Sequence, residues 1–132
     1  MREFYASEHL RFVEPAARLA LQQLLTDRAS GVVHLIHWRA EVIGYVALTF
    51  GFSLEFHGRV ALLDELYVRE QFRGRGVGTA SLQWIDGICR QEGIHAVRLE
   101  VERANVRAQA VYRQAGYAAH DRYVLTRWLE AE

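Results

Sequence analysis

The 132-residue chain contains no lysine: its 16 basic residues are all arginine, and 16 Asp and Glu bring the formal charge to +0. Schiff-base chemistry on a lysine is thereby excluded, as is the lysine-dependent phosphate loop of nucleotide hydrolases. Without net charge there is no field to draw nucleic acid or an anionic membrane, so neither is expected as a partner. Cysteine is nearly absent as well. Cys89, the one thiol, cannot close an intramolecular disulfide, which fits a cytoplasmic protein better than a secreted, disulfide-framed one. No apolar run approaches the roughly 18 residues of a membrane span, and Met1-Arg2-Glu3-Phe4-Tyr5 lacks the basic-then-apolar order of a signal peptide. With a single proline and no repeat or linker, one domain over residues 1–132 is expected.

Half of the residues are hydrophobic, 51%, and a chain of this length can bury roughly two-thirds of its unfolded surface without disulfides or a structural metal. Pro15 suits a first helical turn, and Leu19, Leu21, Leu24 and Leu25 follow at helical spacing, so a helix is expected over 15–29. Residues 32–38, 42–52 and 60–68 read as three antiparallel strands joined by short turns. Leu82, Ile85, Ile88 and Cys89 form one helical face ending before Gly93. A strand over 96–101, a helix over 105–115 and two closing strands over 117–121 and 123–129 complete a mixed α/β sheet flanked by helices.

The sharpest local feature is Arg73-Gly74-Arg75-Gly76-Val77-Gly78-Thr79, between a strand and a helix. Glycines there let a ligand approach the backbone closely, and the exposed N–H groups at the positive end of the helix favour an anion. Arg73 and Arg75 can add charge-assisted hydrogen bonds, so a phosphate or diphosphate is the expected ligand. The nucleotide-hydrolase pattern is absent. The dinucleotide pattern Gly-x-Gly-x-x-Gly is missed as well, because the third glycine comes one position early and Thr79 stands in its place.

Taken with Leu63-Asp64-Glu65-Leu66-Tyr67-Val68, Leu99-Glu100-Val101 and the spaced set Asn105, Ala108, Tyr112, Gly116 and Tyr117, the loop resembles the GNAT superfamily of acyl-CoA-dependent N-acetyltransferases. That family's loop reads Gln/Arg-x-x-Gly-x-Gly/Ala, and Arg73, Gly76 and Gly78 occupy those positions. The likeness covers residues 32–129. It implies a GNAT-like mixed sheet of about six strands, and transfer of an acetyl group from acetyl-CoA to a small-molecule or peptide amine by direct attack in a ternary complex. It further implies that Leu66, Tyr67 and Val68 border a gap between parted strands that takes the pantetheine arm. The diphosphate would rest on Gly74, Arg75, Gly76, Val77, Gly78 and Thr79, with Asn105 also touching the cofactor. Asn105 is equally a good helix N-cap.

Tyr112 matches the family's general-acid position, where a phenol can protonate the departing thiolate. Read alone, Tyr112 is as well explained by packing. The attacking amine must lose a proton, and the candidate bases are Glu65 and Asp64, neighbours on a strand that point to opposite faces unless a bulge intervenes. Alternation puts Leu62, Leu66 and Val68 with Asp64, and Leu63 and Tyr67 with Glu65; a water is a third candidate. Glu55 and His57 fall where the family builds its acceptor entrance. The six histidines have no paired metal-ligand spacing, and His34 and His37, three apart on a strand, are expected on opposite faces, so no metal is expected. Cys89 reads as core, not nucleophile.

Family members generally begin with a strand and a helix ahead of the helix at Pro15. Here only residues 1–14 precede it, so the first strand is expected to be lost, shortened or replaced by residues 2–5 pairing at the sheet edge. An uncovered edge would favour a homodimer. Two other functions compete: an acyl-CoA-binding sensor without catalysis, and a nucleotide-binding regulator using the glycine loop.

Overall fold

The computed structural model describes residues 1–130. In chain order the elements are α1 (Arg2–Ser7), α2 (Glu14–Thr26), β1 (Gly31–Trp38), β2 (Glu41–Ser53), β3 (Gly58–Val68), a 3-10 turn (Glu70–Phe72), α3 (Val77–Gln91), β4 (Ala96–Leu99) and α4 (Val106–Gln114). Pro15 lies in the first turn of α2, where its missing N–H costs nothing. The C-terminus of α3 leads into Gly93 at φ 71°, a left-handed conformation that favours glycine. No helix among the described residues is long and apolar enough to cross a membrane.

The fold is mixed α+β, with a sheet in the order β1-β2-β3-β4. The first three strands are antiparallel, and β4 lies parallel to β3 through α3. One face of α3 supplies Leu82, Ile85 and Cys89 to a core closed by Val46, Leu48, Ala61 and Leu63 from the sheet, with Val111, Tyr112 and Tyr117 packed at its margin. Full burial of a side chain such as Leu48 or Ile85 (both 0% exposed) contributes about 2 kcal/mol of transfer free energy, which holds α3 on the sheet.

Three expectations are corrected. Among the described residues four strands are found in place of about six, because residues 117–121 and 123–129 join no ladder. A strand exists only where a partner pairs with it, and local alternation cannot supply one. Tyr117 packs on the core, but the apolar side chains of 123–129 are left exposed, Tyr123 at 84% and Leu125 at 90%. Residues 2–5 belong to a helix, not an edge strand: α1 is fixed by tertiary contacts, with Phe4 packed on the Tyr45 and Tyr67 rings and Tyr5 bonded to Glu65. Finally, the pairing of β2 with β3 slips between Ala47 and Leu48, whose partners are Glu65 and Leu63, so Asp64 is the extra residue of a bulge. Beyond the bulge the alternation is reset. Leu63 and Leu66 share the α3 face with Leu48 and Val46, whereas Leu62 and Tyr67 join Glu65 on the other.

Candidate active site

β3 and β4 pair only over residues 60–63 against 96–99. β3 then continues to Val68 with β2 beside it, so among the described residues its edge at Leu66, Tyr67 and Val68 has no strand on the β4 side. Pairing of the two strands stops at Leu63 and Leu99, and the bulge at Asp64 stands at that point. At the end of β3 the chain passes through the 3-10 turn into the glycine loop, with Gly74 at φ 76° and Gly76 at φ 81°, and Gly76 starts α3 without any side-chain cap. The N–H groups of the first turn, at Val77, Gly78 and Thr79, therefore have no helical acceptor.

Gly78 is informative because it has no positive φ, and a Cβ there would meet no protein atom within 4 Å. Packing gives no reason for glycine at that position. Open room over the amino end of a 15-residue helix fits a ligand whose oxygens come close to the backbone. Arginines surround this room. The Arg75 guanidinium lies 5.6 Å from the Trp38 ring and 5.7 Å from that of Phe72. Arg73 donates from Nε to the Val68 carbonyl at 2.8 Å and lies over Tyr67. Arg107, in the first turn of α4, reaches to 3.7 Å from the Cβ position of Gly74. Arg107 carries no sequence signal; it joins the loop only because α4 packs beside α3. The same loop also borders a cavity of about 540 Å³ between β1 and α3. His34, Leu35, Ile36, His37 and Trp38 all border it.

On the face away from α3, Glu65 is held by two phenols. Tyr5 donates to Oε2 at 2.6 Å and Tyr45 to Oε1 at 2.5 Å. Burial, then the bond to Glu65, pushes both tyrosine hydroxyls far above their ordinary range, so they remain donors. Neither tyrosine carried a motif: Tyr45 stands beside Glu65 through strand pairing, and Tyr5 arrives from the other end of the chain. Asp64 is exposed, yet partial desolvation and then repulsion from Glu65 and Glu100 raise its carboxyl above the usual range.

Tyr112 lies half-buried on α4, edge-on to Tyr117 with ring centroids 5.9 Å apart. Burial and the nearby Glu8 charge raise its hydroxyl, which keeps the phenol protonated. Asn105 is the N-cap of α4, accepting from the Ala108 N–H at 3.1 Å. Cys89 is buried, and burial followed by Asp86 and Glu92 pushes its thiol up, opposite to what a nucleophile needs. Glu55 and His57 stand on the β2–β3 turn, His57 at φ 63° and Glu55 in a two-pronged ion pair with Arg122 at 2.9 and 2.7 Å. That turn is at the far end of the hairpin, roughly 20 Å along β2 from the level of Glu65. Among the described residues no group of His, Cys, Asp and Glu could hold a metal ion.

The acetyltransferase (GNAT) family model matches residues 1–117. The chain is 31% identical over 75 residues to the thialysine N-epsilon-acetyltransferase of Bos taurus, a match covering 57% of this chain and 44% of the bovine protein. It is 27% identical over 117 residues to an uncharacterized N-acetyltransferase of Bacillus subtilis, covering 88% and 75%. Thus the match spans less than half of the bovine relative. Among solved structures, an integron cassette protein from the mobile metagenome of Cole Harbour Salt Marsh superposes with a TM-score of 0.85 at 32% identity, covering 98% of this chain and 80% of the other.

Proposed function

The chain belongs to the GNAT acetyltransferase family, and from that premise we propose that it moves the acetyl group of acetyl-CoA onto a primary amine by direct attack in a ternary complex. The observation that carries this reading is the parting of β3 from β4 beyond Leu63 and Leu99, directly upstream of an uncapped, glycine-lined helix terminus. Acetyl-CoA when bound supplies the thioester to be cleaved. The N–H groups of residues 74–79 would hold the diphosphate, helped by Arg75 and Arg107; Arg73 would join them by leaving the Val68 carbonyl. The open edge of β3 at Leu66, Tyr67 and Val68 offers main-chain groups to the pantetheine arm, and an N–H there would polarise the thioester carbonyl.

Glu65 is the base we favour. Its two phenol bonds fix the carboxylate while each oxygen keeps a lone pair, so it can take the ammonium proton directly or through a water. Asp64, at the mouth of the gap, would hold the amine electrostatically. Tyr112 would protonate the departing thiolate, a role its retained proton suits. Asn105 would contribute to cofactor binding only through the helix it caps. Glu55 and His57 would act at the acceptor entrance only on an acceptor long enough to reach the hairpin turn. The exposed apolar side chains of Tyr123, Leu125 and Trp128, together with β1 and β4 as the outer strands of the sheet, support a homodimer, which sedimentation velocity reads.

The deciding experiment titrates CoA, ATP and NAD side by side and follows thiol release from acetyl-CoA over a panel of amines. Preference for CoA with amine-dependent release is expected; preference for a nucleotide overturns the reading. Tyr112→Phe separates enzyme from sensor: turnover should fall about a hundredfold while CoA affinity stays within about twofold. Comparable losses in both would return Tyr112 to a packing role.

A further inference from the structure

Glu65 is part-buried and accepts two neutral hydroxyls, yet makes no ion pair among the described residues. The two hydroxyls offset part of the cost of withdrawing this carboxylate from water but leave its negative charge unneutralised. Around it the rings of Phe4, Tyr5, Tyr45 and Tyr67 form a connected wall, with centroid separations of 5.7 Å for Phe4–Tyr5, 5.6 Å for Phe4–Tyr67 and 6.2 Å for Tyr45–Tyr67. Cations already use the rim of this wall. Arg73 lies 5.5 Å from the Tyr67 centroid, and Arg2 lies 5.2 Å from that of Phe12, which packs on Tyr5. Aromatic faces attract cations in this way, and an enclosure combining them with one unneutralised carboxylate selects an ammonium group.

The charges bordering the enclosure narrow the choice further. Its arginines are engaged: Arg69 with Glu3 at 3.4 Å, Arg73 with the Val68 carbonyl, and Arg2 with Glu14 at 2.5 Å. Asp64, next to Glu65, and Glu100 each directly follow the last β3–β4 pair, Leu63 with Leu99, so the two carboxylates stand at neighbouring positions where the ladder ends, and each opposes the other's charge. A carboxylate on the acceptor would therefore add to a negative field, whereas a second ammonium would relieve it. We propose that the acceptor is bound as a cation in the Glu65 aromatic enclosure and is a multiply charged amine without a carboxylate, its second ammonium facing Asp64 and Glu100. This rests on the acetyltransferase reading of the same site.

The test is calorimetric titration of spermidine, propylamine and free lysine into the CoA-loaded protein, with thiol release from acetyl-CoA followed in parallel. Spermidine should bind at least about tenfold tighter than either of the others, and its affinity should weaken steeply with added salt. Glu100→Gln, at an exposed position outside the enclosure, should narrow the preference over propylamine by about threefold while leaving propylamine binding unchanged. Glu65→Gln, with its fold checked by circular dichroism, should weaken spermidine and propylamine binding alike, and binding of both left unchanged overturns the proposal. Equal or tighter binding of free lysine, or a preference untouched by Glu100→Gln and salt, overturns the proposal. Spermidine binding without thiol release would uphold the cation site and defeat acetyl transfer. Release with carboxylate-bearing amines alone would do the reverse.

Discussion

In the proposed function, two neighbouring stretches of β3 would use different parts of the chain for recognition. From Leu66 onward the strand offers an open main-chain edge and runs into a loop whose proposed recognising groups are amides, local in sequence from Gly74 to Thr79. One residue earlier, Glu65 is built into an enclosure of side chains whose members stand 60 and 20 positions away, at Tyr5 and Tyr45. The amide side needs only room and backbone conformation, so it tolerates any side chain that leaves the space open. The enclosure needs α1 docked on the sheet. The first side should therefore set cofactor affinity and the second turnover and acceptor choice, and substitutions can separate them.

The largest expected effect is at Glu65. Glu65→Gln should lower kcat by about a thousandfold, with CoA affinity within about twofold by calorimetry. A matching loss of CoA affinity would merge the two sides. Next comes Gly78→Ala, whose methyl group meets no protein atom but intrudes on the room over α3. It should weaken CoA binding about tenfold while raising stability by about 0.5–1 kcal/mol through better helix propensity, read by thermal melting. Unchanged affinity would deny the loop its ligand. Tyr5→Phe keeps the ring and removes one donor to Glu65. We expect kcat to fall about fivefold with KM for acetyl-CoA constant, while Tyr45→Phe behaves alike; a change in stability alone would make Tyr5 merely structural.

The smallest effect is at Asp64. Its carboxyl is raised in the folded state by desolvation and then by Glu65 and Glu100, so folding favours the protonated form and ionisation costs stability. That cost is absent below the unfolded value of about 3.9 and appears as pH rises through the raised value. Asp64→Asn should thus stabilise the protein at pH 7 by less than about 0.5 kcal/mol, given the exposure of this residue, with the gain vanishing near pH 3. A gain that persists at pH 3 would point to some other cause.

What was legible in the sequence was local or periodic. The spacing of Leu82, Ile85 and Cys89 gives α3, and the three strands and the Asn105 cap follow from alternation and capping chemistry. Residues 123–129 have the same alternation yet pair with nothing in the structure, because a ladder depends on a free edge and not on the segment alone. The bulge at Asp64 reversed the assignment of Leu62 and Leu63 to faces, since one inserted residue shifts a period of two. Arg107, Tyr5 and Tyr45 carry no local signature of their roles.

The sequence by itself therefore determined the glycine loop at the start of α3 and the family, because glycine conformation and helix polarity act over a few consecutive residues. Only the tertiary structure decided which side chains surround Glu65 and where β3 leaves β4. Those depend on contacts between segments far apart in the chain, whose distances no local pattern encodes.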